Sequence, residues 1–331
     1  MYIGRFAPTP SGPLHFGSIV TAIASFLDAK SNEGQWLLKI DDIDQPRVIK
    51  GADIRILNSL EQLHLHWDGP VIYQSHRIKD YQSQIDLLKN MKMTYSCECS
   101  RNDILKLAIT GADGFIYPGT CRRKKIKYSD HVAHRVKVKN ELVVTEDFIQ
   151  GLVKQNLSKD IGDFIIKRSD GLFAYQFTVV VDNYLDKITN IVRGADLIQS
   201  VSKQVYLHQL LNSNIPKFCH IPVATKFKKK LSKGFGNEIT IKGNEVSIWL
   251  KCLSFLNQPM ERFSKSMNTE EIVYEATKYW SKSLIKPLRK IQALLSPRLY
   301  ISLEANLCSN LCQKLCLQLC FKLCLNLCPQ Q

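Results

Sequence analysis

A chain of 331 residues, 45% hydrophobic and 23% charged, is too long for one small module and apolar enough to bury a sizeable core, which excludes wholesale disorder. With 45 basic and 30 acidic residues it carries a net charge of +15 and a pI near 9.3, a bias toward a polyanionic partner, nucleic acid above all. It lacks an apolar run of the roughly eighteen residues a membrane span requires, and Met1-Tyr2-Ile3-Gly4-Arg5 has no charged segment leading into an apolar one, so neither a span nor a secretory leader is expected.

In chain order, Tyr2 to Ala7 reads as a strand, followed by a turn rich in proline and glycine (Pro8-Thr9-Pro10-Ser11-Gly12-Pro13). Ser18 to Ala29, small and apolar, reads as a buried helix, and Trp36 to Ile40 as a second strand. Residues 52–65 and 77–91 have apolar positions at helical spacing. This alternation predicts a parallel sheet with helices on both faces. Residues 95–125, with Cys, Gly and a basic run, break the rhythm as an insertion would. Strand-forming residues dominate 132–182, Asp196 to Asn212 reads as a helix, and helices are expected beyond about 245.

The cysteines divide into two groups. Cys308, Cys312, Cys316, Cys320, Cys324 and Cys328 each follow a leucine at a spacing of four, which reads first as a low-complexity repeat over 306–331 and, as an alternative, as one stripe of an amphipathic or metal-binding helix. The remaining five form no disulfide framework, as suits a reducing cytosol. Among them, Cys97-Glu98-Cys99 and Tyr117-Pro118-Gly119-Thr120-Cys121 offer three thiolates, which with one further donor suit a tetrahedral zinc ion. On chemistry alone His131 or His134 would be the orthodox fourth ligand.

Two further motifs concern phosphate. The strand-turn-helix ending His15-Phe16-Gly17-Ser18 places backbone N–H groups and a positive helix end where an anion could sit. His15 can donate to phosphate oxygens, and Gly17 lets an adenine-bearing ligand approach the backbone. Downstream, Lys229-Lys230-Leu231-Ser232-Lys233-Gly234 is a lysine loop able to neutralise charge developing on a triphosphate.

These residues carry a resemblance. His15-Phe16-Gly17-Ser18 resembles the HIGH signature of class I aminoacyl-tRNA synthetases, and Lys230-Leu231-Ser232-Lys233-Gly234 resembles their KMSKS loop. Arg5 to Gly12, Lys39-Ile40-Asp41-Asp42-Ile43-Asp44, Leu65 to Gly69, Asp170 to Gln176, Val179 to Asp182 and Ile191 to Leu197 resemble the glutamyl branch, in order, over roughly residues 1–260. The resemblance implies a Rossmann-type class I catalytic domain over 1–250 with a zinc-bearing insertion at about 95–125, a short helical segment at 251–305, and the repeat tail. The stretch beyond the lysine loop is short for an anticodon-binding domain. Within the branch, this and the cysteine insertion fit the group that modifies queuosine-bearing tRNA(Asp) at its wobble base.

The same resemblance implies roles for individual residues. Arg5, Phe6, Ala7, Pro8 and Thr9 would line a glutamate pocket, Asp41 would hold the substrate ammonium, and Tyr175 and Arg193 would complete the pocket. His15, Gly17, Ser18 and Lys233 would serve ATP, accompanied by magnesium. Cys97, Cys99, Tyr117 and Cys121 would hold one zinc ion per chain. The partners would be ATP, L-glutamate and queuosine-bearing tRNA(Asp), with no membrane, and the enzyme would be a cytoplasmic monomer. The branch has glutamate where Asp41 stands, so this carboxylate is one methylene shorter. Two alternatives stand beside this reading: a truncated glutamyl-tRNA synthetase charging a tRNA 3′ end, and a catalytically inactive protein that binds tRNA or zinc.

Overall fold

The computed structural model describes residues 1–107, 109–111, 114–226, 229–230 and 239–292. Lys233 and the Leu-Cys repeat therefore lie outside the described residues. Met1–Ala224 and Lys230–Ile291 form one compact unit; a second comprises Thr225–Lys229 and 292–331, of which Thr225, Lys226, Lys229 and Gln292 are described.

The N-terminal half begins with strand β1 (Ile3–Phe6), helix α1 (Phe16–Lys30), strand β2 (Gln35–Ile40), helix α2 (Ala52–Gln62), strand β3 (Ile72–Tyr73) and helix α3 (Ile78–Asn90). The first two strands and all three helices fall where periodicity predicts them. The three strands are parallel in the order β1-β2-β3. The insertion contributes β4 (Thr94–Cys97), α4 (Arg101–Leu107), the hairpin β5 (Ile109–Gly111) and β6 (Gly114–Ile116), and β7 (Ala133–Val136). Next come β8 (Leu142–Asp147), β9 (Gly151–Asn156), β10 (Ile165–Lys167), α5 (Tyr175–Leu185), β11 (Asn190–Gly194), α6 (Val201–Leu210) and β12 (Lys217–Ile221). Helices α7 (Glu245–Phe255) and α8 (Thr269–Lys278) complete the unit's main elements.

Strand β11 runs parallel to β12, and it joins β1 through the Thr189 amide, which donates to the Ile3 carbonyl at 2.9 Å. The parallel layer therefore reads β3-β2-β1-β11-β12-β8, with β9 antiparallel beyond β8, and the chain reverses its order of growth between β1 and β11. In an open α/β sheet the ligand crevice lies at such a switch point, beyond the carboxyl ends of the strands. A separate antiparallel sheet, β10-β7-β4, carries the cysteine region.

Alternation along β1 and β2 decides what faces each side. Trp36 stacks on Phe6, meets Phe26 of α1 edge-on, and donates from Nε1 to Ser25 Oγ at 3.0 Å. Buried side chains of this kind contribute about 1.5–3 kcal/mol each. On the opposite face Leu37 packs against the core formed with α3, α5 and α6. Strand parity puts Arg5 and Lys39 on that second face, toward α5. The stretch 132–182 does not remain strand to its end, because Val179-Val180-Val181 lie within α5. Their β-branched shape costs a few tenths of a kcal/mol each in a helix, less than burial of three nearly inaccessible side chains returns. The helix expected from Asp196 opens with a 3₁₀ segment, Ala195–Ser200, before α6 begins.

Candidate active site

The crevice at the switch point gathers side chains from the ends of β1, β2, β11 and β12 and from α5. Arg5 is buried and donates from Nε to Asn183 Oδ1 at a long 3.4 Å. Phe6 is core, packed on Trp36, while Ala7, Pro8 and Thr9 are half-buried at the strand's mouth. The Pro8 carbonyl accepts the Asp41 amide at 3.0 Å, fastening the first turn to the end of β2.

Asp41 is buried, and its Oδ1 has no hydrogen-bond partner among the described residues. Burial pushes its carboxyl up to about 7, against the pull of Lys39 and Arg5, with Asp182 and Asp42 reinforcing the rise. Its neighbour Asp42 is fully engaged, accepting from Ser75 N at 2.8 Å and Ser75 Oγ at 2.6 Å. Asp44 lies 3.7 Å from Arg47. Asp41 is thus the carboxylate of this segment with capacity left for a cation.

Beneath it lies an ion cluster that needs no ligand. Lys39 Nζ is 2.9 Å from Asp182 and 3.6 Å from Asp186, and Arg77 bridges the same two carboxylates, 3.2 Å from Asp182. Gln74 and Tyr81 each donate to Asp182 at 2.8 Å. Burial raises the Asp182 carboxyl, but Lys39 and these donors outweigh it and leave it below the usual carboxylate range.

Arg193, in β11, lies within electrostatic reach of Arg5, which also acts on Asp41. It is 3% exposed, its Nε donates to His220 Nε2 at 2.9 Å, and its Nη1 is buried with no hydrogen-bond partner among the described residues. Burial disfavours its charge and Arg5 adds to that, while the Tyr175 hydroxyl opposes both. Tyr175 is the most open member, 39% exposed at the start of α5. A buried carboxyl with a spare oxygen and two buried guanidiniums with spare donors form a receptor for a ligand bearing both a cation and carboxylates.

The turn after β1 leads to His15, which caps α1: its Nδ1 accepts the Ser18 amide at 3.2 Å, and its Nε2 lies 3.1 Å from Ser18 Oγ. A Cβ on Gly17 would stand 3.3 Å from that ring, a tight fit, so glycine keeps the imidazole at the helix start. His15, Gly17 and Ser18 therefore sit together at the positive end of a 15-residue helix.

The cysteine region is built separately. Cys97 ends β4, Cys99 follows it, and Cys121 lies beyond the turn Tyr117-Pro118-Gly119-Thr120, where Gly119 has φ +81°. The three sulfurs lie within 4.8 Å of one another, with Cys99 and Cys121 at 3.5 Å. Tyr117 Oη is 3.3 Å from Cys97 Sγ and 3.4 Å from Cys99 Sγ. Tetrahedral zinc with Zn–S near 2.3 Å and Zn–O near 2.0 Å would set S···S at about 3.8 Å and S···O at about 3.5 Å. The four donors fit such an ion. The Cys121 amide donates to Tyr117 Oη at 2.8 Å, and the Arg135 guanidinium lies 3.8 Å over the Tyr117 ring. Burial pushes the Cys99 thiol up to about 11. Neither histidine joins the cluster: His134 Nε2 pairs with the Ser129 carbonyl at 2.9 Å, and His131 is exposed.

No sequence motif marks Asp147 or His220, nor Asn183 beside Arg5. His220 stands at the end of a strand opposite Arg193, a juxtaposition visible only once β11 and β12 are paired.

A family model described as the catalytic domain of class I tRNA synthetases (E and Q) matches residues 3–272. The chain is 39% identical over 293 residues to a Glutamyl-Q tRNA(Asp) synthetase of Pseudomonas syringae pv. syringae (strain B728a), covering 88% of this chain and 96% of that one. It is 40% identical over 280 residues to the protein of that name from Pseudomonas entomophila (strain L48), covering 84% and 92%. Among solved structures, glutamate-tRNA synthetase from Elizabethkingia anophelis superposes with a TM-score of 0.74 at 20% identity, covering 89% of this chain and 68% of the other; at that identity the likeness concerns the fold.

Proposed function

The chain belongs to the family of class I tRNA synthetases (E and Q) and is a ligase, and from that premise we propose that it activates L-glutamate with ATP, without needing tRNA, and transfers the glutamyl group to the queuosine base at the wobble position of tRNA(Asp). The observation that carries the reading is that Asp41 Oδ1 and Arg193 Nη1 are both buried and unpartnered among the described residues, and that both side chains lie within electrostatic reach of Arg5. Glutamate supplies what each lacks: an ammonium for Asp41 and a carboxylate for Arg193, with Arg5 available to the second carboxylate.

In this reading the α-carboxylate oxygen attacks the α-phosphorus of ATP, and pyrophosphate leaves. A hydroxyl of the modified base then attacks the acyl carbon, AMP leaves, and the hydroxyl proton passes to solvent. No residue becomes covalently bound; the side chains hold the reactants in line. His15 and Lys233 bind the triphosphate, and magnesium bound with it would neutralise charge on the departing pyrophosphate. Zinc on Cys97, Cys99, Tyr117 and Cys121 would be structural, closing the turn against β4 with all four positions filled. We extend the reading to a cytosolic monomer; the five cysteines of the described residues form no disulfide, as suits a reducing compartment.

The names of the curated relatives favour this acceptor over a tRNA 3′ end. Glutamate-dependent ATP–pyrophosphate exchange, run with and without tRNA, tests activation. Exchange without tRNA is expected, and Lys233→Ala should slow it by about 100-fold or more. Labelled glutamate offered to queuosine-bearing tRNA(Asp) and to tRNA(Glu) tests the acceptor. Transfer to tRNA(Glu) alone would make the chain a truncated glutamyl-tRNA synthetase, and absence of exchange would leave only a binding protein.

A further inference from the structure

Arg193 is held by a buried chain of hydrogen bonds that reaches across two strand boundaries. Its Nε donates to His220 Nε2 at 2.9 Å, and His220 Nδ1 lies 2.6 Å from Asp147 Oδ2. Asp147 ends β8, His220 lies in β12 and Arg193 in β11, and β12 is the strand between the other two. The sheet sets the register: Arg193 is the cross-strand partner of His220, and Phe218 that of Asp147. His220 is fully buried, and Asp147 is 2% exposed.

The hydrogen-bond pattern assigns the proton. A guanidinium Nε can only donate, so His220 Nε2 is the acceptor and the ring carries its proton on Nδ1, donated to Asp147. Asp147 cannot turn away, because Oδ1 also accepts Ile149 N at 3.1 Å, Gln150 N at 2.8 Å and His220 N at 3.2 Å. Phe218 stacks on the imidazole, with ring centroids 6.1 Å apart. The result is an imidazole fixed in tautomer and rotation, presenting one lone pair to Arg193.

We infer that Asp147 and His220 are positioning residues for substrate recognition: they lock the Arg193 guanidinium by its Nε edge so that its unpartnered Nη1 is aimed into the crevice as a preset carboxylate donor. A freely rotating guanidinium would have to be ordered when glutamate binds, at a cost in affinity, whereas this one is ordered by the fold. The inference rests on the reading of Arg193 as a glutamate ligand. It adds that the specificity of that contact is stored in two residues that do not touch the substrate.

The test uses the full chain and pyrophosphate exchange against glutamate and ATP concentrations, with thermal melting to establish that each variant is folded. His220→Leu should raise the KM for glutamate by about 10- to 100-fold, the effect of misplacing one hydrogen bond to a charged group. The kcat and the KM for ATP should stay near the parent's, whereas general loosening of the fold would move all three. His220→Gln, whose amide can accept from Arg193 and donate to Asp147, should recover most of the loss. Asp147→Asn should behave like His220→Leu although it is isosteric. Its amide oxygen would be taken by the backbone N–H groups, leaving the NH₂ to donate to Nδ1 and forcing the ring proton onto Nε2, donor against donor. In an Arg193→Ala background, His220→Leu should add nothing.

If Arg193→Ala raises the KM for glutamate while folded His220→Leu and Asp147→Asn keep the parental value, the positioning role is overturned and the glutamate reading survives. Equal losses in His220→Leu and His220→Gln would also overturn it, because acceptance of the Nε–H would then be irrelevant. A parental KM in Arg193→Ala would remove the glutamate reading of Arg193 itself, and the inference with it.

Discussion

The crevice and the cysteine cluster both bury polar groups, yet they balance charge in opposite ways. Under the crevice, Lys39 and Arg77 neutralise Asp182 and Asp186 within the protein, while among the described residues Asp41 Oδ1 and Arg193 Nη1 stay buried without a partner. At the cluster, three thiols and a phenol converge, and the Arg135 guanidinium stacks on the tyrosine ring face. The first site is electrically complete except for its substrate. The second offers a donor set for a metal: its sulfurs can be thiols without one, and once deprotonated they would repel one another unless a cation joined them. Folding of the first is therefore expected to be independent of additives, and folding of the second to depend on one.

Four experiments put that contrast at risk. The largest effect should come from the metal. Structural zinc in small domains binds with roughly 10–16 kcal/mol, and that free energy is folding free energy. The purified protein should contain about one zinc per chain, as one four-ligand site requires. Cys99→Ser, or chelation, should lower the metal content and raise amide exchange in β4, β7 and β10 while exchange in β1 and β2 stays slow. Uniform loss of protection would show that the two regions share one cooperative unit. Undiminished zinc in a variant lacking Cys97, Cys99 and Cys121 would place the metal elsewhere.

Next is the ion cluster. Asp182→Asn leaves Lys39 and Arg77 with too little negative charge, and removing one partner of a buried pair costs about 3–5 kcal/mol. Urea unfolding should show that loss with zinc content unchanged; a loss under about 1 kcal/mol would mean the pairs are exposed in solution.

Asp41 should act on affinity and stability in opposite directions. Its carboxyl holds its proton to about pH 7 in the folded site, against an ordinary value of 3.8. The native state thus binds more protons than the unfolded chain between those values, and stability falls as pH rises through that window. Asp41→Asn removes the burden. It should raise the ligand-free Tm at pH 8 by several degrees, as about 1–2 kcal/mol would, and change it little at about pH 3.5, below both values. The same variant should raise the KM for glutamate by about 10- to 100-fold, having lost the charge that meets the ammonium. In the parent enzyme that KM should improve as pH rises through about 7. An Asp41→Asn variant matching the parent in KM would mean the ammonium binds elsewhere, and Asp42 is already committed to Ser75.

The smallest effect is expected from Asp41→Glu, which restores the length found in the resembled branch. The parental shortfall of one methylene can be bridged by a water at about 0–2 kcal/mol, so the KM for glutamate should fall by at most about tenfold with kcat unchanged. A large rise would show that the crevice has closed around the shorter side chain.

Sequence was sufficient where the interacting groups are close along the chain. Cys97, Cys99, Tyr117 and Cys121 lie in one stretch, so their spacing already limits how far apart they can be. The strand-turn-helix holding His15 and Gly17 is likewise a local object, set by glycine, proline and the apolar run that follows. Parallel β and α alternation was legible for the same reason, since periodicity is local. Contacts between distant segments needed the folded chain. Val179 to Val181 have strand-forming side chains, and their helix is settled by burial against distant elements. Nothing in the spacing from Arg5 to Asp41, Asp147, Arg193 and His220 brings them together. Their proximity follows from strand order and register, which place Arg193 opposite His220 and put Arg5 and Lys39 on one face. The charge state of Asp41 and the tautomer of His220 are properties of enclosure, fixed by which groups remain within a few ångströms once water is excluded.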